Sequence, residues 1–165
     1  VPDTTTKVAF SDNNTHFSTQ GVTFIINPYD EWYALVRALE LKEAGLATDV
    51  HLITVGKADA EPVIRKALAL GGDEAIRIDA DSNDTYAVAA QIAEYAKTVG
   101  YDLVLLGKES IDYNNGSVSA MVAELLDMNY LGFASKIEIA GTTATITREI
   151  EGGEETDTCS LPLAI

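Results

Sequence analysis

Val50-His51-Leu52-Ile53-Thr54-Val55-Gly56 is a nearly unbroken run of β-favouring residues that ends on a glycine. A strand covered on one face alternates apolar and polar residues. A strand covered on both faces reads as a continuous run, and such runs belong to parallel sheets with helices on either side. The segments around this run fit that reading. Downstream, Val63, Ile64, Ala67 and Leu68 recur at helical spacing over residues 60–70, and Gly71-Gly72 stops the helix. A short strand follows at 75–78, then a capping loop, Asp81-Ser82-Asn83-Asp84. A third helix carries Val88, Ile92, Ala93 and Ala96 and closes at Gly100. Residues 103–106 read as another parallel strand, and Met121, Val122 and Leu125 mark a helix over 117–126.

Upstream, Asn27-Pro28-Tyr29-Asp30-Glu31 has the composition of a helix start. Asn27 suits the N-cap, Pro28 the first helical position, and the acids the positive end of the helix dipole. Trp32, Leu35, Val36 and Leu39 form the expected apolar stripe, with the end near Gly45. Residues 7–10 and 22–26 read as short strands around the turn Asp12-Asn13-Asn14. Beyond residue 126 the period changes. Strands are expected at 135–139, 144–149 and 155–161, separated by Gly141 and Gly152-Gly153, and the alternation over 143–147 supports a hairpin.

The expected fold is α/β: one domain over residues 1–165, a Rossmann-like parallel sheet flanked by helices, with a C-terminal β-hairpin extension. Three parallel strands are few for such a sheet, so a first strand before Val1 is expected. Truncation at both ends is expected as well. The chain lacks an initiator Met, and Leu161-Pro162-Leu163-Ala164-Ile165 stops inside an apolar run.

The 165 residues suit one domain, and 47% hydrophobic content is enough for a packed core. Eleven basic and 26 acidic side chains give a net charge of −15, with no Lys/Arg cluster to neutralise phosphates. A nucleic-acid partner is therefore not expected. No apolar run approaches the roughly 20 residues of a membrane helix, and no signal peptide is visible, so a soluble cytoplasmic protein is expected. The lone Cys159 excludes an internal disulfide and a CxxC pair, and His16 and His51 lack ligand-like spacing. Neither histidine has a visible route to Ser110 or Asp112, so no nucleophile–base pair and no catalytic residue is expected.

In open parallel sheets, ligands bind at the C-terminal strand ends. Three segments fall there: Asn27 with the helix start, Val55-Gly56-Lys57, and the loop from Gly107 to Ser117. In the last, a strand leads through polar residues into a helix N-terminus, where free N–H groups and the dipole favour a phosphate. Gly116 would let the backbone approach, Ser117 and Ser119 offer hydroxyls, and Asp112 could accept from a ribose. An ordinary polar loop with Asn/Ser capping is the competing reading, because no P-loop or GxGxxG pattern is present.

Six stretches carry a resemblance. They are Val1-Pro2-Asp3-Thr4; Asn27-Pro28-Tyr29-Asp30-Glu31; Ile64-Arg65-Lys66-Ala67-Leu68-Ala69-Leu70-Gly71-Gly72-Asp73; Asp102-Leu103-Val104-Leu105-Leu106-Gly107-Lys108-Glu109-Ser110-Ile111-Asp112; Phe133-Ala134-Ser135; and Arg148-Glu149-Ile150-Glu151-Gly152-Gly153. In this order the chain resembles the β subunit of electron-transfer flavoproteins over nearly its whole length. The resemblance implies a heterodimer with an α subunit that carries most contacts to a redox-active FAD. It implies an AMP buried in the β subunit, or a second FAD in bifurcating members. It implies electron transfer from dehydrogenases, such as the acyl-CoA dehydrogenases of fatty acid oxidation, to a membrane or soluble acceptor. The β subunit itself would make no bonds. Carried over, the pocket falls on Asn27, Val55, Gly107 and Asp112. The loop departs from the family pattern at Tyr113-Asn114-Asn115-Gly116-Ser117-Val118, where backbone N–H groups at Gly116, Ser117 and Val118 remain able to serve; Gly56 and Asn115 complete the expected site. A stand-alone nucleotide-binding regulatory module of the stress-protein type is the alternative outside this family.

Overall fold

In the computed structural model, residues 1–165 are described apart from Ser82 and Asp112. Strand β3 (His51–Val55) pairs in parallel with β4 (Glu74–Ile78), in register His51 to Glu74 through Val55 to Ile78. Helix α2 (Glu61–Ala69) joins them after a short 3-10 turn, and buries Ile64 and Ala67 from the expected stripe. Helix α3 (Thr85–Val99) begins on Asp84, whose carboxylate accepts the Ala87 N–H at 2.7 Å. It buries Ala89, Ala93 and Ala96 and ends on left-handed Gly100 (φ 79°). Strand β5 (Leu103–Val104) and helix α4 (Ser117–Leu126) follow, with Val122 and Ala123 buried. The α/β class and the parallel pairing are as expected.

Three local expectations are corrected. Residues 7–10 and 22–26 do not form the expected strands. A small hairpin, β1 (Phe10–Ser11) with β2 (His16–Phe17), closes through left-handed Asp12, Asn13 and Asn14, and Phe24 makes only an isolated bridge to Pro2. Helix α1 (Glu31–Glu43) starts on Asp30 rather than Asn27. The physical reason is a closed turn: Asn27 Oδ1 accepts the Tyr29 N–H at 3.1 Å, and the Asn27 carbonyl accepts the Trp32 N–H at 3.1 Å. The helix buries Leu35 and Leu41, whereas Trp32 is 39% exposed.

The third correction concerns the end of the chain. The three strands expected after residue 126 are present as one antiparallel meander, β7 (Ala134–Ala140), β8 (Thr143–Ile150) and β9 (Gly153–Ser160). The strand expected through residue 161 breaks at Leu161, where a cis Leu161–Pro162 peptide precedes β10 (Leu163–Ala164). This last strand runs parallel between β5 and β6 (Asn129–Tyr130), and both of its residues are 0% exposed. Its flanks continue the pairing: Leu106 N–H donates to the Ile165 carbonyl at 2.8 Å. Leu163 packs with Ile137, Ala144 and Ile146 from the inner face of the meander. The opposite face carries Thr143, Thr145, Thr147, Thr156 and Thr158 in cross-strand register. Arg37 of α1 reaches the meander and donates to the Ile137 carbonyl at 2.7 Å.

The two parallel sheets, β3–β4 and β5–β10–β6, share no ladder among the described residues. They meet at one end, where His51 Nδ1 lies 2.9 Å from the Tyr101 hydroxyl and the two rings pack edge to face at 5.6 Å. No helix among the described residues is long and apolar enough to cross a membrane.

Candidate functional site

The His51–Tyr101 contact joins the first residue of β3 to a residue two positions before β5. At the opposite end, Asn115, which follows β5, donates through Nδ2 to the hydroxyl of Thr85, which follows β4, at 2.6 Å. Together these contacts put the C-terminal ends of β3, β4 and β5 on one side, where a ligand of an open parallel sheet binds.

At the end of β5, Gly107 is in contact with the turn that leads into α1. A Cβ built on Gly107 would lie 2.9 Å from Asp30 Cβ and 3.0 Å from both Cδ and Oε1 of Glu31. Only glycine leaves room for that approach. Asn27 lies beneath and is 7% exposed. Its Oδ1 is occupied by the Tyr29 N–H, and its Nδ2 donates weakly to Asp30 Oδ2 at 3.5 Å. Asn27 therefore steadies its own turn and the Asp30 carboxylate, using polar atoms that a ligand would otherwise meet. The Glu31 carboxyl is pushed above the ordinary range, chiefly by burial. Hydrogen bonds from its own N–H and from Asn27 oppose that rise, and the Asp30 charge adds to it.

The loop between β5 and α4 folds back on itself. Ser110 N–H donates to the Asn115 carbonyl at 3.1 Å, Asn114 N–H donates to the Ser110 carbonyl at 2.9 Å, and Asn114 is left-handed (φ 50°). A Cβ on Gly116 would stand 3.1 Å from the Lys108 carbonyl oxygen, so the head of α4 returns to the residue next to Gly107. Asn115 Oδ1 accepts from the Ser117 N–H at 3.0 Å and from its hydroxyl at 2.5 Å. Asn115 and Ser117 thus serve each other. The hydroxyl of buried Ser119 lies 2.9 Å from that of Tyr130. The first-turn N–H groups of α4 lie at the positive end of the helix dipole, a place that favours an anion.

Val55 ends β3, and Gly56 after it is buried. Gly56 N–H donates to the Ile78 carbonyl at 3.0 Å, and its own carbonyl accepts from Arg77 Nη1 at 2.9 Å. Both backbone polar groups of Gly56 therefore have partners within the fold. Asp112 lies outside the described residues. Asp30 and Glu31 are the residues that sequence reasoning missed: they read as acids matched to a helix dipole, and only the closeness of Gly107 gives them a place in the site. No group of three or more His, Cys, Asp or Glu side chains suited to a metal ion occurs among the described residues.

A family model for the electron transfer flavoprotein domain matches residues 14–165. The chain belongs to the electron transfer flavoprotein family. It is 40% identical over 149 residues to the electron transfer flavoprotein subunit beta of Bacillus subtilis, covering 88% of this chain and 57% of that protein. It is 36% identical over 164 residues to the subunit of the same name from Syntrophomonas wolfei, covering 99% of this chain and 64% of that protein. Against the human subunit beta it is 34% identical over 170 residues, covering 100% of this chain and 66% of that protein. The chain thus spans about three fifths of the length of the first two relatives. The electron transfer flavoprotein match takes in all the parallel strands named above, the β5–α4 loop and the meander.

Proposed function

We propose that this chain is the nucleotide-holding part of an electron-transfer flavoprotein β subunit, and that its ligand is a structural AMP. The observation that carries the reading is the meeting of Gly107, the head of α4 at Gly116 and the first turn of α1 at one edge of the sheet. The residues fit the ligand. The N–H groups of Val118 and Ser119 would receive the phosphate, and Gly107 leaves backbone uncovered for close approach. Val55 and Gly56 would form the apolar wall beside the base, and Asn27 and Asn115 would hold the two turns in shape. A ligand bound only by the folded state stabilises it by mass action.

The longer protein would pair with an α subunit that carries most contacts to FAD. The complex would work in the cytoplasm, taking electrons from flavin dehydrogenases, acyl-CoA dehydrogenases among them, to a membrane or soluble acceptor. The flavin supplies the redox chemistry when bound, and this chain supplies binding and orientation. To test this, the full-length subunit co-purified with its α partner is heat-denatured and the released nucleotides are separated by chromatography. The expected result is about one AMP per flavin, the simplest count for one site per subunit. Two flavins and no AMP would assign a second FAD to this site. Release of no nucleotide beyond the α-bound flavin would reject the reading.

A further inference from the structure

One ring nitrogen of His51 faces two partners of opposite chemistry. Nδ1 lies 2.9 Å from the Tyr101 hydroxyl and 3.7 Å from Glu74 Oε2. A hydroxyl donates or accepts, whereas a carboxylate only accepts. Neutral imidazole with a bare Nδ1 needs a donor, so the Tyr101 O–H holds it and the Glu74 carboxylate stays beyond hydrogen-bond distance. Protonated imidazole carries N–H on both nitrogens, and its charge-assisted bond to a carboxylate is the stronger one. The two partners belong to different sheets. Glu74 is the register partner of His51 within the β3–β4 pair, and Tyr101 comes two positions before β5. The choice of partner therefore decides whether the ring ties the two parallel sheets together or closes on its own.

The other groups around the ring leave that choice to Glu74. Asp73, at the head of β4, also acts on His51, but its carboxylate is taken by Lys42 of α1 at 2.6 Å and by the Val50 N–H at 2.8 Å. Tyr101 keeps its proton throughout, because burial first, and then Tyr95 of α3 and Glu74, raise its hydroxyl to about 12. The Glu74 side chain is 56% exposed against 21% for His51, so the carboxylate has room to turn through the remaining distance. We infer that His51 is a pH-sensitive latch between the two parallel sheets: neutral, it accepts from Tyr101 and joins them; protonated, it donates to Glu74 and releases Tyr101. Histidine changes charge between about pH 5 and 8, so the joint loosens as the pH falls through that range. The latch is independent of the nucleotide reading, since it lies at the opposite end of the strands from the Asn115–Thr85 contact.

The test uses the full-length subunit with its α partner unlabelled. The histidine and tyrosine rings of the subunit carry ¹³C, and the His51 signals are identified with His51→Gln. The rings pack edge to face at 5.6 Å, close enough for magnetisation transfer between them to report the joint. A charge-assisted bond exceeds a neutral one by enough to change the ratio of the two arrangements about three- to tenfold. Wild type should show the His51–Tyr101 transfer at about pH 8 and lose it by about that factor at about pH 5.5. Glu74→Gln should retain it at the lower pH, because the charged acceptor is gone. Equal transfer in wild type at both pH values, or none at either, would overturn the inference, and that comparison needs no variant. So would a Glu74→Gln protein whose transfer falls as far as that of wild type, which would show that Glu74 is not what draws the ring away.

Discussion

Replacing Gly107 by alanine tests the contact on which the site is built. The new Cβ would meet Asp30 Cβ at 2.9 Å and the Glu31 carboxyl at 3.0 Å. The two neighbours differ in their freedom. The Glu31 carboxyl ends a flexible side chain and can swing outward, whereas Asp30 Cβ is fixed to the backbone at the start of α1. Backbone at Gly107 has no positive φ, so the cost is steric overpacking without conformational strain. Overpacking of this kind costs about 1–3 kcal/mol. For a domain of this size each kcal/mol lowers the melting midpoint by roughly 2–4 °C, so Gly107→Ala should melt about 2–12 °C lower. Gly56→Ala is the internal control. Its Cβ would meet only Ala60 Cβ at 3.2 Å, a contact that a small shift relieves. Both variants are melted in the full-length protein without nucleotide, followed by circular dichroism. Adding Glu31→Ala to Gly107→Ala should recover only part of the loss, because the Asp30 contact remains. If Gly107→Ala melts within about 1 °C of wild type, or no lower than Gly56→Ala, then α1 does not start against the end of β5 and the site geometry is wrong.

Two further outcomes follow from the core and from charge. Leu163→Ala removes a side chain that is 0% exposed between two parallel neighbours and beneath the meander, and should cost about 2–5 kcal/mol in urea unfolding; a loss under about 1 kcal/mol would mean that β10 is not a central strand. The Asp73 carboxyl is held below its usual range first by the hydrogen bond from Lys42 and then by the Val50 N–H at 2.8 Å. A depressed carboxyl contributes stability that is present above its unfolded pKa and is lost as pH falls through the folded one. Asp73→Asn should therefore flatten the acid limb of the stability–pH profile below about pH 4 while leaving its shape near neutrality unchanged. An unchanged acid limb would refute the pairing.

The local elements of this fold are written in short stretches of sequence. The continuous run at His51–Val55 makes a parallel strand, although all five of its residues are only half-buried. Ile64 with Ala67 and Ala93 with Ala96 repeat at helical spacing, and Asp84 and Gly100 bound α3 by chemistry that acts over one turn. These follow from side-chain period and backbone sterics, which need no distant partner. The parallel class follows in turn, and with it the expectation of a site at the strand ends.

Long-range packing decided the rest. Leu163-Ala164 looks like the tail of a hairpin strand, yet it lies between β5 and β6, because its burial depends on partners about 35 and 60 residues earlier in the chain. Asn27 looks like a cap or a ligand contact. It became the support of its own turn and of Asp30 because that closed turn took up its oxygen before α1 began. Nothing local distinguishes Glu31 from an ordinary first-turn acid. Its place in the site exists only because Gly107, 76 positions later, arrives without a side chain where the carboxyl stands. Period and capping are properties of neighbours in sequence, whereas a site assembled from three strand ends is a property of their meeting in space.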